Sequence, residues 1–160
     1  MNELPEGAYP ATWLAMQYGT FGSVPIAALF AIARRRPRLA LALGVAGSAA
    51  WLGAKAIKPV VGRGRPAAVI DGVRLRGTEE GDLGFPSGHS AVSAALTVVS
   101  WSSLPTRWRV PAAALSAFVP LGRLYVGAHL PLDVVGGSAL GSAIGGAAIL
   151  VFRPRTIALV

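Results

Sequence analysis

From Tyr9 to Ala33 the chain carries no charged side chain. An apolar run of that length reaches across a bilayer, because about 20 residues suffice. Four more apolar runs follow, Leu39–Ile57, His89–Leu104, Val110 to about Val126, and Leu132–Phe152. Only 14% of the residues are charged, against about a quarter in an ordinary soluble domain. The pattern predicts an all-α fold, a polytopic transmembrane helix bundle of about five spans, with residues 1–160 forming one membrane-embedded domain. Pro25 is expected to kink the first span. The formal net charge of +8 does not point to nucleic acid, since a nucleic-acid binder gathers its charge on a polar face. Here the arginines stand between apolar runs. The absence of cysteine excludes disulfides and thiolate metal sites. The start, MNELPEG, lacks the basic n-region of a cleavable signal peptide.

The arginines orient the bundle. Arg34, Arg35, Arg36 and Arg38 follow the first run, Arg107 and Arg109 the third, and Arg153 and Arg155 the fifth. By parity these three ends share a side, and the positive-inside rule makes that side cytoplasmic. The amino terminus, the polar loop Lys58–Phe85 and the stretch around His129 then face outward. Arg63, Arg65, Arg74 and Arg76 break the simple rule there. Asp71, Glu79, Glu80 and Asp82 offset their charge, and the violation implies that some of these arginines have a specific task. Gly137, Gly141 and Gly145 recur at four-residue intervals in the last run, a spacing that lets helices approach closely in lipid.

Three short stretches meet on the outward side: KPVVGRGRP from Lys58, PSGH from Pro86, and GRLYVGAHLPLD from Gly122 to Asp133. Asp133 is the only acid inside an apolar run, and an ionisable group there is costly and usually functional. It follows His129 by four residues, so on a helix the two share a face. A carboxylate in that place fixes the imidazole tautomer and leaves the other ring nitrogen free to attack. The same pair also serves as a purely structural contact, and the pair alone does not decide between the two. Pro131 suits the first turn of a helix. Ser87 is placed to cap the third run, and a helix start offers unpaired N–H groups to an anion. Gly88 lets the backbone come close, and His89 adds a proton donor that a mere cap does not require. Lys58, Arg65 and Arg123 supply cations for phosphate oxygens. Taken singly, Lys58 and Arg65 are better explained by snorkelling toward headgroups, and Arg63 is assigned to that role and kept out of the site.

Together the three stretches resemble the phosphatidic acid phosphatase type 2 family of membrane lipid phosphatases. That family's pattern is a lysine, six residues and Arg-Pro; then Pro-Ser-Gly-His; then Ser-Arg, five residues, His, three residues and Asp. Lys58, Arg65 and Pro66 match the first part, Pro86 to His89 the second, and Arg123, His129 and Asp133 the third. One position departs: the serine before the arginine is Gly122, which removes a hydroxyl from the expected phosphate site. Members often have six spans and five are counted here, so the chain is either a compact member or part of a longer protein.

The resemblance implies catalysis by His129, His89 and Asp133, with Lys58, Arg65, Ser87, Gly88 and Arg123 binding the phosphoryl group. His129 would form a phosphohistidine, Asp133 would orient it, and His89 would protonate the leaving oxygen. It implies no metal and no cofactor, and a lipid phosphate substrate drawn from the bilayer: a polyprenyl (di)phosphate, phosphatidic acid or phosphatidylglycerol phosphate. It also implies a multi-pass protein of a bacterial cell membrane with an outward-facing site. A homo-oligomer and an attached membrane domain both remain open as partners. Two other readings compete. One is a membrane module that binds lipid phosphates without cleaving them. The other is an enzyme like the vanadium-dependent haloperoxidases, which resemble this family in their anion pocket.

Overall fold

Each apolar run is helical in the computed structural model, which describes Asn2 and residues 5–77 and 81–152. The helices are α1 (Tyr9–Met16), α2 (Ser23–Ala33), α3 (Pro37–Val61), α4 (Pro66–Val69), α5 (Gly88–Ser100), α6 (Thr106–Tyr125) and α7 (Pro131–Phe152). Among the described residues the only extended pairing is one isolated antiparallel bridge, Gly64 with Leu83. Glu79, Glu80, Arg153 and Arg155, which entered the charge pattern above, lie outside the described residues.

Local chemistry sets the helix ends. Pro37, Pro66 and Pro131 each open a helix, where the missing N–H costs nothing. Gly62 closes α3 in the left-handed conformation and donates to the Lys58 carbonyl at 2.9 Å. The first run is not one helix kinked at Pro25. It breaks earlier, and the segments Glu6–Gly19 and Ser23–Ala33 meet at 65°. Pro25 falls in the first turn of α2, where proline is tolerated, so it does not cause the bend. The break is held by Ser23, whose hydroxyl donates to the carbonyls of Tyr18 and Thr20 at 2.9 and 2.8 Å.

Helix α5 lies at the centre, packed chiefly against α7 and α3. Nine of its 13 residues are buried. At about 1.5 Å per residue it is far shorter than the roughly 30 Å hydrocarbon core. Among the described residues two helices, α3 and α7, are long and apolar enough to cross a membrane, and the bent α1–α2 pair makes a third if it counts as one span. Helix α6 has the length, but Arg107, Arg109 and Arg123 lower its hydropathy. The main core joins Ala46 and Ala50 of α3, Val92, Ala95 and Leu96 of α5 and Ala148 of α7. Small residues dominate it, as expected where helices pack without large side chains between them.

The two ends of the bundle differ. At one end Arg36 donates to the Ser103 carbonyl at 3.2 Å, so the α2–α3 turn meets the end of α5. At the other end the α3–α4 connection, the start of α5 and the α6–α7 connection come together. The amino-terminal segment closes that end. Asn2 donates to the carbonyls of Arg74 and Tyr125 at 2.8 and 3.1 Å, Arg76 donates to the Asn2 carbonyl at 2.8 Å, and Arg74 pairs with Glu6 at 3.0 Å. Two of the arginines that break the charge rule therefore fasten the amino-terminal segment over the loop that leads to His129.

Candidate active site

Ser87 caps α5: its side chain accepts from the Ser90 N–H at 3.4 Å, and its own N–H donates to the Asp133 carbonyl at 2.9 Å. The start of α5 is thus tied by its backbone to the first turn of α7. His89 lies in the first turn of α5, partly exposed. A side chain at Gly88 would meet only Ala54, at 3.9 Å, so no protein neighbour demands glycine there and the space over the helix start is open.

His129 is not on a helix. It sits in the connection before α7, and the four-residue spacing to Asp133 works through the helix start rather than through a shared helical face. Asp133 Oδ2 accepts from the Leu130 N–H at 2.8 Å, one half of a capping box that folds the connection back over the carboxylate. The same oxygen then lies 3.6 Å from His129 Nδ1. That is a few tenths of an ångström beyond a hydrogen bond, so the two groups lie side by side without one. Asp133 is fully buried and His129 is 4% exposed.

The predicted cations gather around this pair. Lys58, in the last turn of α3, donates to the Leu83 carbonyl at 2.6 Å. Arg65 donates to the carbonyls of Gly81 at 2.6 Å and Ala128 at 2.9 Å, the latter directly before His129. Arg123, in the last turn of α6, is buried at 6% exposure. Burial holds the His129 pKa down, to about 4. Asp133 pulls it up, and Arg123, Arg65 and Lys58 push it down. The imidazole is therefore neutral near pH 7, the state in which a ring nitrogen has a lone pair to offer.

Two residues stand differently from expectation. Arg63, assigned above to headgroup contact, points inward: Nη1 lies 3.6 Å from Asp133 Oδ1. In the sequence it is one of four loop arginines and nothing but the turn at Gly62 hints at its direction. Gly122, the family's serine position, faces the α1 helix. A Cβ there would come to 2.9 Å from Met16 Cγ and 3.1 Å from Thr12 Cγ2, so glycine makes room for α1. Two open cavities, each of about 530 Å³, lie outside the cation cluster. One is at the opposite end, lined by Arg36, Arg38 and Phe152, and the other runs between α6 and α7.

Fold and site together define a class: an all-helical membrane protein with a buried histidine–aspartate pair set among fixed cations at one end of the bundle. The chain belongs to the PAP2 superfamily, whose model matches residues 37–157. It is 28% identical over 119 residues to an undecaprenyl-diphosphatase of Sulfolobus acidocaldarius, covering 74% of this chain and 58% of that one. It is 36% identical over 91 residues to a lipid A 4'-phosphatase of Bacteroides thetaiotaomicron, covering 53% of this chain and 40% of that one. The chain thus spans about half the length of these relatives. The crystal structure of Aquifex aeolicus LpxE has the same fold, with a TM-score of 0.84 at 19% identity, covering 93% of this chain and 89% of that one. A PAP2-type phosphatidylglycerolphosphate phosphatase from Bacillus subtilis aligns with a TM-score of 0.73 at 22% identity, covering 96% and 82%.

Proposed function

We propose that this chain is a lipid phosphate phosphatase that hydrolyses a phosphomonoester or diphosphate of a membrane lipid through a phosphohistidine. The observation that carries the reading is the buried His129 beside Asp133, with Arg123, Arg65 and Lys58 near enough to act on it. A neutral imidazole in that setting is a nucleophile, and the cations are suited to the charge that spreads over the phosphoryl oxygens during transfer.

The free ring nitrogen of His129 attacks phosphorus. The P–N bond forms as the bond to the leaving oxygen breaks, and His89 gives that oxygen its proton. Asp133 stabilises the imidazolium so formed, as the orienting acid of a triad does. His89, now neutral, takes a proton from water, the water oxygen bonds to phosphorus and the P–N bond breaks, returning His129. Lys58, Arg65 and Arg123 hold the phosphoryl oxygens, with the N–H groups at Ser87 and Gly88. Three fixed cations do the charge neutralisation for which many phosphotransfer sites use a metal.

The likeness to an undecaprenyl-diphosphatase and a lipid A 4'-phosphatase supports a lipid with a phosphate or diphosphate head. Polyprenyl (di)phosphate, phosphatidic acid and phosphatidylglycerol phosphate all have that chemistry. We read the bundle as five spans in one domain, with α5 at its centre and the site facing outward by the arginine distribution. Purified protein supplied with a panel of lipid phosphates is expected to release phosphate in the presence of a chelator. His129→Ala is expected to lower the rate at least about 10³-fold while retaining lipid binding. Equally little release by wild type and variant from every lipid would leave a binding module, and peroxide-dependent halide oxidation with vanadate would point to a haloperoxidase-like enzyme.

A further inference from the structure

Four arginines lie between Arg63 and Arg76, and three of them have tasks already described. Arg65 and Arg76 donate to backbone carbonyls, and Arg74 pairs with Glu6. Arg63 is directed at a carboxylate inside the site. Its Nη1 is 3.6 Å from Asp133 Oδ1, and its side chain is one-third exposed, so it enters from the surface. Its position is fixed from both sides: Gly62 turns the chain at the end of α3, and the Arg63 carbonyl accepts from the Gly84 N–H at 2.8 Å.

The carboxylate needs such a partner. Asp133 is fully buried, and Oδ2 is taken by the Leu130 N–H and faces His129. Oδ1 is buried and accepts no hydrogen bond. A buried carboxylate oxygen without a donor is costly, and a guanidinium at 3.6 Å is the group that offsets it. We propose that Arg63 is a positioning residue for phosphoryl transfer, acting through Asp133 to hold the carboxylate against His129 and to moderate its charge. The inference rests on the phosphatase reading above for its catalytic meaning, and on the Arg63–Asp133 contact for its physics.

The charged groups around the pair are few. Asp133 faces Arg63 from the α3–α4 connection and His129 from the α6–α7 connection, and α5 reaches it through the Ser87 N–H to its carbonyl. His129 feels Arg123 from α6 and Arg65 and Lys58 from the α3 side. Removing the Arg63 charge leaves the Asp133 field on the imidazole less opposed, with Arg123, Arg65 and Lys58 still in place. The protonated ring gains stability, its pKa rises, and the fraction of neutral nucleophile begins to fall at a higher pH. The carboxylate also loses its restraint, which lowers kcat.

The experiment compares Arg63→Gln and Arg63→Lys with wild type. Arg63→Gln is expected to lower kcat by roughly ten- to a hundredfold, with KM changed by less than about threefold. Its acid limb in kcat/KM is expected to move up by about half a pH unit or more. Arg63→Lys keeps the charge and loses the fork, so its acid limb stays with wild type while kcat is reduced by less. The chain has two histidines, so the ¹⁵N-imidazole signals can be read directly against pH, with His89→Gln used to assign them. The His129 midpoint is expected to rise in Arg63→Gln and not in Arg63→Lys. An unmoved midpoint in Arg63→Gln overturns the inference even if kcat falls. So does a rise in KM alone, which would make Arg63 a phosphate ligand. If Arg63→Gln does not fold, a midpoint shifted in Arg63→Lys as though the charge were gone also overturns it. A wild type that releases no phosphate from any lipid defeats the phosphatase reading instead, and the histidine midpoints still decide the Arg63 contact.

Discussion

Glycine lines two helix seams in this molecule, and the obstacle it avoids differs between them. In the α5–α7 seam, a Cβ at Gly137 would run into the Ser87 carbonyl and one at Gly141 into the Ala91 carbonyl, while at Gly145 the Ala95 carbonyl would be 3.0 Å away. In the α1–α6 seam, a Cβ at Gly122 would meet the Met16 side chain and Thr12 Cγ2. A backbone carbonyl inside a helix moves only if the helix moves. A methionine side chain has three rotatable bonds and yields. The same residue type is therefore strict in one place and lenient in the other. The strict seam also frames the chemistry, because Ser87 and Asp133 lie at its site end and are joined there by a backbone hydrogen bond.

The strongest challenge to this contrast is Gly141→Ala. One methyl group must separate α5 from α7 or unwind a turn. Overpacking of a dense core typically costs about 1–3 kcal/mol and occasionally more, and a backbone obstacle belongs at the upper end. Thermal unfolding in detergent is expected to show a large loss of stability, with phosphatase activity falling alongside it because the Ser87–Asp133 link depends on the seam. A Gly141→Ala protein with wild-type melting would show that the seam has slack.

The apolar runs and the three motif stretches were legible because their signals are local. Runs without charge read directly as helices, and the stretches around Lys58, Pro86 and Arg123 could be matched residue by residue. Three features were not legible. The bend near Thr20 looked like the work of Pro25, since proline is the visible breaker, whereas Ser23 holds the break through hydrogen bonds. The depth to which α5 crosses is not legible either, because hydropathy alone does not separate a buried 13-residue core helix from a span. The direction of Arg63 depends on the turn at Gly62 and on the contact with Gly84, a residue more than twenty positions away. Sequence spacing carries no record of either. His129 and Asp133 lie side by side for a different reason than their spacing suggests, since a capping contact from Leu130 replaces the shared helical face.

Gly122→Ser sharpens the comparison at an intermediate level, and it restores the residue type that the family pattern expects. If the missing hydroxyl limited phosphate binding, the serine would raise activity. The packing says otherwise: Cβ would stand 2.9 Å from Met16 Cγ, on the side of α6 that faces α1. Met16 must change rotamer, at a cost of about 1 kcal/mol, smaller than at Gly141 because the thioether adapts. A modest fall in melting temperature is expected, with no gain in kcat/KM. A cost equal to that of Gly141→Ala would erase the distinction between side-chain and backbone obstacles.

The smallest effect belongs to the third side of α7, where it turns toward α6. There Pro120, Leu121 and Leu124 stand across an open groove from Val134, Ser138 and Ser142, and no close seam forms. Ser142 is exposed and lies next in the chain to Gly141, so the two positions differ in facing rather than in depth. Ser142→Leu adds far more volume than Gly141→Ala, yet it enters space already open to lipid. The expected change in stability is within about 0.5 kcal/mol, with activity retained. The two variants made side by side therefore put added volume against added obstruction: if Ser142→Leu were as damaging as Gly141→Ala, bulk on α7 would matter more than what each residue faces.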